Sequence, residues 1–260
     1  MNSLEDKKDF SIEDLLRIMT RLRAECPWDA KQTHQSLKPY LLEEAYEVLE
    51  SIDHQDWQEL KTELGDLLLQ VVFHSEIASE NRRFRFSDVV NALSHKLIER
   101  HPHVFGDKSV NSAREVQNNW EQSKFVKEER FSLLSGVPSA TPALLQAQRL
   151  QEKAATVGFE WKSIEPVIEK CHEEWQEFQQ AMRERDALQI RAEFGDLLFA
   201  LVNLARFVNV NAEDALRLTN KKFTERFHYI EAQYDQNPQK MREASLEELD
   251  HHWNEAKKEE

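Results

Sequence analysis

Glu173-Glu174-Trp175-Gln176-Glu177, followed by Glu193-Phe194-Gly195-Asp196, sets acidic residues at helical spacing in two neighbouring segments. The pattern also stands 130 residues earlier, as Glu43-Glu44-Ala45-Tyr46-Glu47 and Glu63-Leu64-Gly65-Asp66, with every acid displaced by the same interval. The chain therefore carries an internal repeat. Residues three apart share one face of a helix, so Glu174 with Glu177, and Glu193 with Asp196, each form a paired-carboxylate stripe. Glu193 follows Glu177 by sixteen positions, as Glu63 follows Glu47, and each interval holds a turn-tolerant stretch, Arg183 to Asp186 or Asp53 to Asp56. An antiparallel helical hairpin in each half brings its two stripes face to face.

Facing carboxylates need cations. Two like charges about 5 Å apart at an effective dielectric near 20 repel by roughly 3 kcal/mol, against a total domain stability of about 5 to 15 kcal/mol. The alternative is that the acids point apart into solvent. The second stripe argues against that, because Asp196 runs into Leu197, Leu198, Phe199, Ala200, Leu201 and Val202, and Asp66 into Leu67, Leu68, Leu69, Gln70, Val71, Val72 and Phe73. Helices apolar on most sides are expected to be buried, with their acids lining an interior cleft. Gly65 and Gly195 fit the same picture as points of close backbone approach, since Gly costs about 1 kcal/mol in a helix interior relative to Ala.

Composition bounds the class. The 260 residues hold 34 Lys and Arg against 48 Asp and Glu, a net charge of −14, which disfavours a general nucleic-acid or anionic-membrane surface. Only five Gly and seven Pro, with 32% charged residues, suit an all-α protein. Cys26 and Cys171 sit in unrelated settings, so a disulfide framework is not expected. With no leader pattern and no run of 18 apolar residues, the expectation is a cytoplasmic protein.

Along the chain, Ser11 with Asp14 marks a helix start, and apolar residues from Ile12 to Leu22 follow at helical spacing. Carboxylate helices are expected over 38–52 and 57–80, then a helix capped by Ser87 that ends before His101-Pro102, and another from the capping box Ser112 to Glu115 through Trp120. The interval 131–142, with Gly136, Pro138 and Pro142, reads as a linker between domains at 1–130 and 143–260. The second half repeats the order: a helix from Ala143, carboxylate helices near 164–184 and 186–208, one over 212–234, and a last one capped by Ser245 with Glu248. The fold class is two tandem helical bundles, of a kind that a second copy often completes, so a homodimer is expected.

Cations repeat as well. Lys96 with Arg100, and Lys222 with Arg226, are four apart on one helix, and Trp120 to Lys124 is echoed by Trp253 to Lys257. A lone pair of this kind is ordinarily a solvated helix face and a late Trp is ordinarily core; recurrence after the same acidic hairpin is what raises them. Oxygen ligands without paired His or Cys suit Mg²⁺ rather than zinc, and Mg²⁺ is usually shared between carboxylates and substrate phosphates. Divalent ions with a Lys/Arg pair let the acids meet a phosphate ligand and acidify a water, which points to hydrolysis of a phosphoanhydride.

Cys26-Pro-Trp-Asp29, the two Glu-Glu-x-x-Glu and Glu-x-x-Asp sets, His101-Pro-His-Val-Phe105 and Asn220-x-Lys222-x-x-x-Arg226 together resemble the tandem MazG nucleoside triphosphate pyrophosphohydrolases, over nearly the whole chain. The resemblance implies an all-α, usually dimeric enzyme that uses Mg²⁺ to hydrolyse ribo- and deoxynucleoside triphosphates between the α and β phosphates, giving a monophosphate and pyrophosphate. It implies that Glu174, Glu177, Glu193 and Asp196 hold metal, that Lys222 and Arg226 hold phosphates, and that Trp253 contacts the nucleotide. Glu44, Glu47, Glu63 and Asp66 are the corresponding metal-ligand candidates of the first half. There Phe73, Glu76 and Ser94 replace Asn203, Arg206 and Asn220, which makes the C-terminal site the expected centre of turnover. Glu174 or Glu177 is the candidate general base. Two rivals stand beside this reading. A di-iron bundle calls for Glu-x-x-His on two helices, yet Pro39 and Leu42 face Glu169 and His172 in the repeat; a non-catalytic helical adaptor would carry the acids on its surface.

Overall fold

The computed structural model describes residues 7–107, 109 and 132–258, and all regular structure among them is helical. The chain divides into two compact units, Met1–Asn111 and Ser112–Glu260. That division falls inside 110–131, outside the described residues, as do the expected capping box at Ser112 and the helix through Trp120. Residues 132–142 hold turns and bends without a helix.

In the first unit, α1 (Ile12–Glu25) opens on the Ser11 cap, whose amide donates to the buried Asp14 carboxylate at 2.8 Å. Lys7 beside it holds the Asp14 carboxyl well below the usual range, with the Ser11 amide and Arg17 adding to the effect. The hairpin follows as α2 (Lys38–Asp53) and α3 (Trp57–Glu80), then α4 (Phe86–Arg100) and the single turn α5 (Pro102–Phe105). The core lies where α1 and the chain before α2 meet the second half of α3: Met19, Leu37, Val72, Phe73 and Ile77 are sealed together. Each such side chain contributes roughly 1.5 to 3 kcal/mol by leaving water.

The second unit is built from α6 (Ala143–Ala155), the hairpin α7 (Glu165–Glu184) and α8 (Ala187–Phe207), α9 (Ala212–Gln233), α10 (Pro238–Glu243) and α11 (Leu246–Ala256). α6 packs on α8 and α9, and α11 on α9. The two hairpin turns are made alike. Gln55 and Arg185, at equivalent positions of the repeat, take left-handed backbone angles with φ of 54° and 59°. The next residue caps the returning helix: Asp56 accepts from the Gln58 and Glu59 amides, both at 3.0 Å, and Asp186 from Leu188 at 3.0 Å and Gln189 at 3.2 Å.

Three expectations change. α4 begins at Phe86 rather than after Ser87, because the Asp88 carboxylate accepts from the Arg85 amide at 2.8 Å and so sets the cap two residues earlier. α10 is a helix that periodicity was too short to reveal; Asn237 caps it and Pro238 supplies a preset φ at its first position. The third concerns burial. α3 and α8 are not enclosed within their units, since Leu64 is 49% exposed and Phe194 48%, with Leu68, Val71, Phe199 and Leu201 also open. A Cβ built on Gly65 or Gly195 meets nothing within 4 Å, so neither marks a close backbone approach within its unit. Few helices pack against either hairpin, and an apolar stripe around most of a helix outruns the faces they can cover.

The turn geometry carries a test. A β-branched residue is strained in the left-handed region and Gly is not. Arg185→Val is expected to be less stable than Arg185→Gly by about 1 to 2 kcal/mol, read as the difference between their urea midpoints.

Candidate active site

Each hairpin brings three acids together from two helices. In the second unit one carboxylate oxygen each from Glu174 and Glu177 on α7 and Glu193 on α8 lie within 4.8 Å of one another. In the first, Glu44 on α2 converges with Glu63 and Asp66 on α3 to the same tolerance. Asp196 is exposed on α8 outside the three-acid set of its unit. Glu47 stands outside the first set, though close enough to Glu44 to perturb it.

The acids are partly open to solvent within each unit rather than enclosed in an interior cleft. Glu174 is buried, Glu193 half-buried and Glu177 exposed, while Glu44, Glu63 and Asp66 are all half-buried. Crowding shows in the protonation equilibria. Partial desolvation first, and then Glu174 and Glu193, push the Glu177 carboxyl above its ordinary value. Glu44 is raised by burial, then by Asp66 and Glu47, and Glu63 by desolvation, then by Glu47 and Asp66. Like charges held together in this way accept a hard cation. Neither three-acid set contains His or Cys, a donor set suited to Mg²⁺ rather than to zinc or a di-iron centre. Glu169 and His172 are both exposed and belong to neither set.

The two copies differ in what answers the most buried acid. Lys170 Nζ lies 2.8 Å from Glu174 and 2.9 Å from Glu173, and both acids hold its ammonium above its ordinary pKa. Sequence reading missed this lysine, although Lys170 and Glu174 have the four-residue spacing of a helical ion pair. Tyr40 occupies the equivalent place in the first half. There the buried Gln70 amide reaches toward Glu44 at 3.5 Å.

The remaining candidates fall in two groups of the second unit. On α9 and α11, the Arg226 guanidinium stacks 5.2 Å from the Trp253 ring, which also meets Phe223 at 5.2 Å. Lys222 and Asn220 are exposed on α9. The helical spacing thus places Lys222 one turn from an arginine that already lies on the tryptophan. On α8, Arg206 donates to Asn203 Oδ1 at 3.0 Å and pairs with Glu160 from the turn before α7, another residue that sequence reading missed. In the first unit the equivalent positions are Phe73, sealed in the core, and Glu76. The histidines near helix ends are engaged locally: His101 with the Leu97 carbonyl at 2.6 Å and His252 with Glu255 at 2.9 Å.

The MazG nucleotide pyrophosphohydrolase domain matches the chain twice, over residues 32–105 and 162–230. The chain belongs to the MazG family. Both acid sets, Lys170 and the Lys222 and Arg226 pair lie inside the matched intervals, and Trp253 lies beyond the second. The nucleoside triphosphate pyrophosphohydrolase/pyrophosphatase MazG of Thermotoga maritima is 46% identical over 247 residues, 94% of this chain and 95% of the relative. The nucleoside triphosphate pyrophosphohydrolase of Escherichia coli is 43% identical over 257 residues, 96% of this chain and 98% of the relative. A Bacillus subtilis protein named only YabN is 47% identical over 238 residues, 89% of this chain but 48% of the relative. The tandem arrangement is thus two MazG domains in one all-α chain. No helix among the described residues is long and apolar enough to cross a membrane.

A carboxyl whose folded pKa is raised binds its proton more tightly in the folded state. Stability therefore rises as pH falls through the raised value, until the unfolded value of about 4.3 for Glu is reached. In EDTA, Glu177→Gln is expected to melt above the wild type at pH 7.5, with the gap shrinking by pH 4.5; a gap that widens on acidification contradicts the crowding of Glu177.

Proposed function

We propose that this MazG protein is a Mg²⁺-dependent nucleoside triphosphate pyrophosphohydrolase acting on ribo- and deoxynucleotides, and that its C-terminal unit carries the turnover. The observation that supports this most directly is the convergence of Glu174, Glu177 and Glu193 with Lys170 on Glu174, an ion pair that the first unit, with Tyr40 at that place, does not reproduce. The printed names of the full-length relatives agree with the substrate class.

Glu174, Glu177, Glu193 and Asp196 are assigned to hold Mg²⁺, which when bound supplies charge neutralisation and Lewis acidity at the phosphates. The chain's own side chains supply the rest. Lys222 and Arg226 bind phosphate oxygens, and Trp253, already pinned by Arg226, packs against the nucleotide. Glu174 has its charge committed to Lys170, whereas Glu177 is exposed to solvent, so Glu177 is the better-placed base. Its carboxylate takes the proton of a water whose oxygen bonds to the α phosphorus. The bond from that phosphorus to the bridging oxygen breaks, and the electron pair leaves with pyrophosphate. The N-terminal acids, Glu44, Glu47, Glu63 and Asp66, are a second metal set of lower turnover. The apolar stripes left open on α3 and α8 are assigned to pairing with a second copy of the chain, which light scattering would read as twice the monomer mass.

Pyrophosphate release from nucleoside triphosphate, assayed with and without Mg²⁺, tests the assignment. Glu193→Ala is expected to lose far more activity than Glu63→Ala, and Glu177→Gln to lose at least about 100-fold in kcat. Turnover in ¹⁸O water is expected to label the monophosphate; label in pyrophosphate would place attack on the β phosphorus and overturn the bond assignment.

A further inference from the structure

The seam between α6 and α8 in the second unit holds polar groups that the hairpin does not need. Gln151 on α6 is 9% exposed, and its amide nitrogen donates to the Phe199 carbonyl of α8 at 2.9 Å, while its Oε1 is buried without a partner. Arg206 Nε is buried without a partner as well, although the same guanidinium holds Asn203 and Glu160. Buried polar atoms are nearly always satisfied, so the orphaned Gln151 acceptor in this seam points to a ligand that supplies its partner.

The surroundings fix how that ligand would be met. Because Arg206 donates to Asn203 Oδ1, the Asn203 amide must turn its Nδ2 away from the guanidinium, and Nδ2 has no hydrogen-bond partner among the described residues. Asn203 therefore presents a donor and Gln151 an acceptor. α6 itself is held in place from α9, whose Ala212 amide donates to Gln148 Oε1 at 3.3 Å. Position along α8 gives the direction. Phe199 lies three residues and Asn203 seven residues beyond Asp196, and the latter is a rise of about 10.5 Å along nearly the same face. A nucleotide with its phosphates on the acids extends its sugar and base over a comparable length. In the first unit the residue aligned with Asn203 is Phe73, closed inside an apolar core.

We infer that the α6–α8 seam is the nucleoside-binding end of the C-terminal site, in which Gln151 Oε1 accepts from a hydroxyl or N–H of the nucleoside and Asn203 Nδ2 donates to one of its acceptors, with Glu160 and Arg206 acting as positioning residues for Asn203. The inference rests on the nucleotide hydrolase reading above and adds the residues that grip the part of the substrate beyond the phosphates. It also accounts for the retention of a half-satisfied glutamine in a packed seam, where Leu would cost nothing in hydrogen bonding.

The test compares a ligand that has a nucleoside with one that lacks it. For Gln151→Leu and Asn203→Leu, KM for a nucleoside triphosphate is expected to rise about tenfold, while the Ki of inorganic tripolyphosphate as a competitive inhibitor stays within about twofold of wild type. Glu160→Gln is expected to raise KM by a smaller factor, because it only loosens the hold on Asn203. Equal weakening of nucleotide and tripolyphosphate would assign the seam to the general shape of the site and overturn the inference, as would an unchanged KM. Should Gln151→Leu fail to fold, the half-buried Asn203 and its near-isosteric Asn203→Asp variant carry the same comparison. A wild-type chain without nucleotide turnover would instead refute the enzymatic reading, so the two failures are told apart.

Discussion

Electrostatic repulsion between carboxylates is the constraint around which each half of the molecule is arranged. Three acids with oxygens within 4.8 Å of one another oppose folding of the hairpin that presents them, and the structure answers that cost locally and differently in its two copies. In the C-terminal hairpin Lys170 sits directly on the buried Glu174. In the N-terminal hairpin no lysine occupies that place, and crowding raises carboxyl pKa values in both copies, at Glu44 and Glu63 in the first and at Glu177 in the second. Both arrangements leave a concentration of negative oxygen ligands that a hard divalent ion would relieve.

The hairpins themselves are held by ordinary means: a left-handed residue, an aspartate cap and an apolar stripe. Their stripes are wider than the faces that α1, α4, α6 and α9 cover, so a large apolar surface stays open in each unit. The acids themselves are only partly covered, Glu177 being exposed and Glu193, Glu44, Glu63 and Asp66 half-buried. Beside its hairpin the C-terminal unit carries the Arg226 and Trp253 stack and the polar contacts of Gln151, Asn203 and Arg206.

The two halves differ at aligned positions. Where the second half has Asn203 and Arg206 the first has Phe73 and Glu76, and Phe73 joins Met19, Leu37, Val72 and Ile77 in a core. The N-terminal unit thereby gains packing at that position, while buried polar atoms without a partner occur in both units, Gln70 Oε1 in the first and Gln151 Oε1 and Arg206 Nε in the second.

The repeat, the all-helical class, the hairpin ends and the helix stripes that carry the acids are legible in the sequence alone, because they follow from helical periodicity and from turn and cap chemistry, both local along the chain. Lys170 carries the same kind of local signal, four residues before Glu174. Tertiary structure decided the rest: that Glu174 is buried while Asp196 is exposed, that Glu160 reaches Arg206, that Gln151 meets the Phe199 carbonyl, and that α3 and α8 keep open faces. These depend on how helices rotate and lean against one another, and a rotation of a few tens of degrees changes which side chains meet without altering any local pattern.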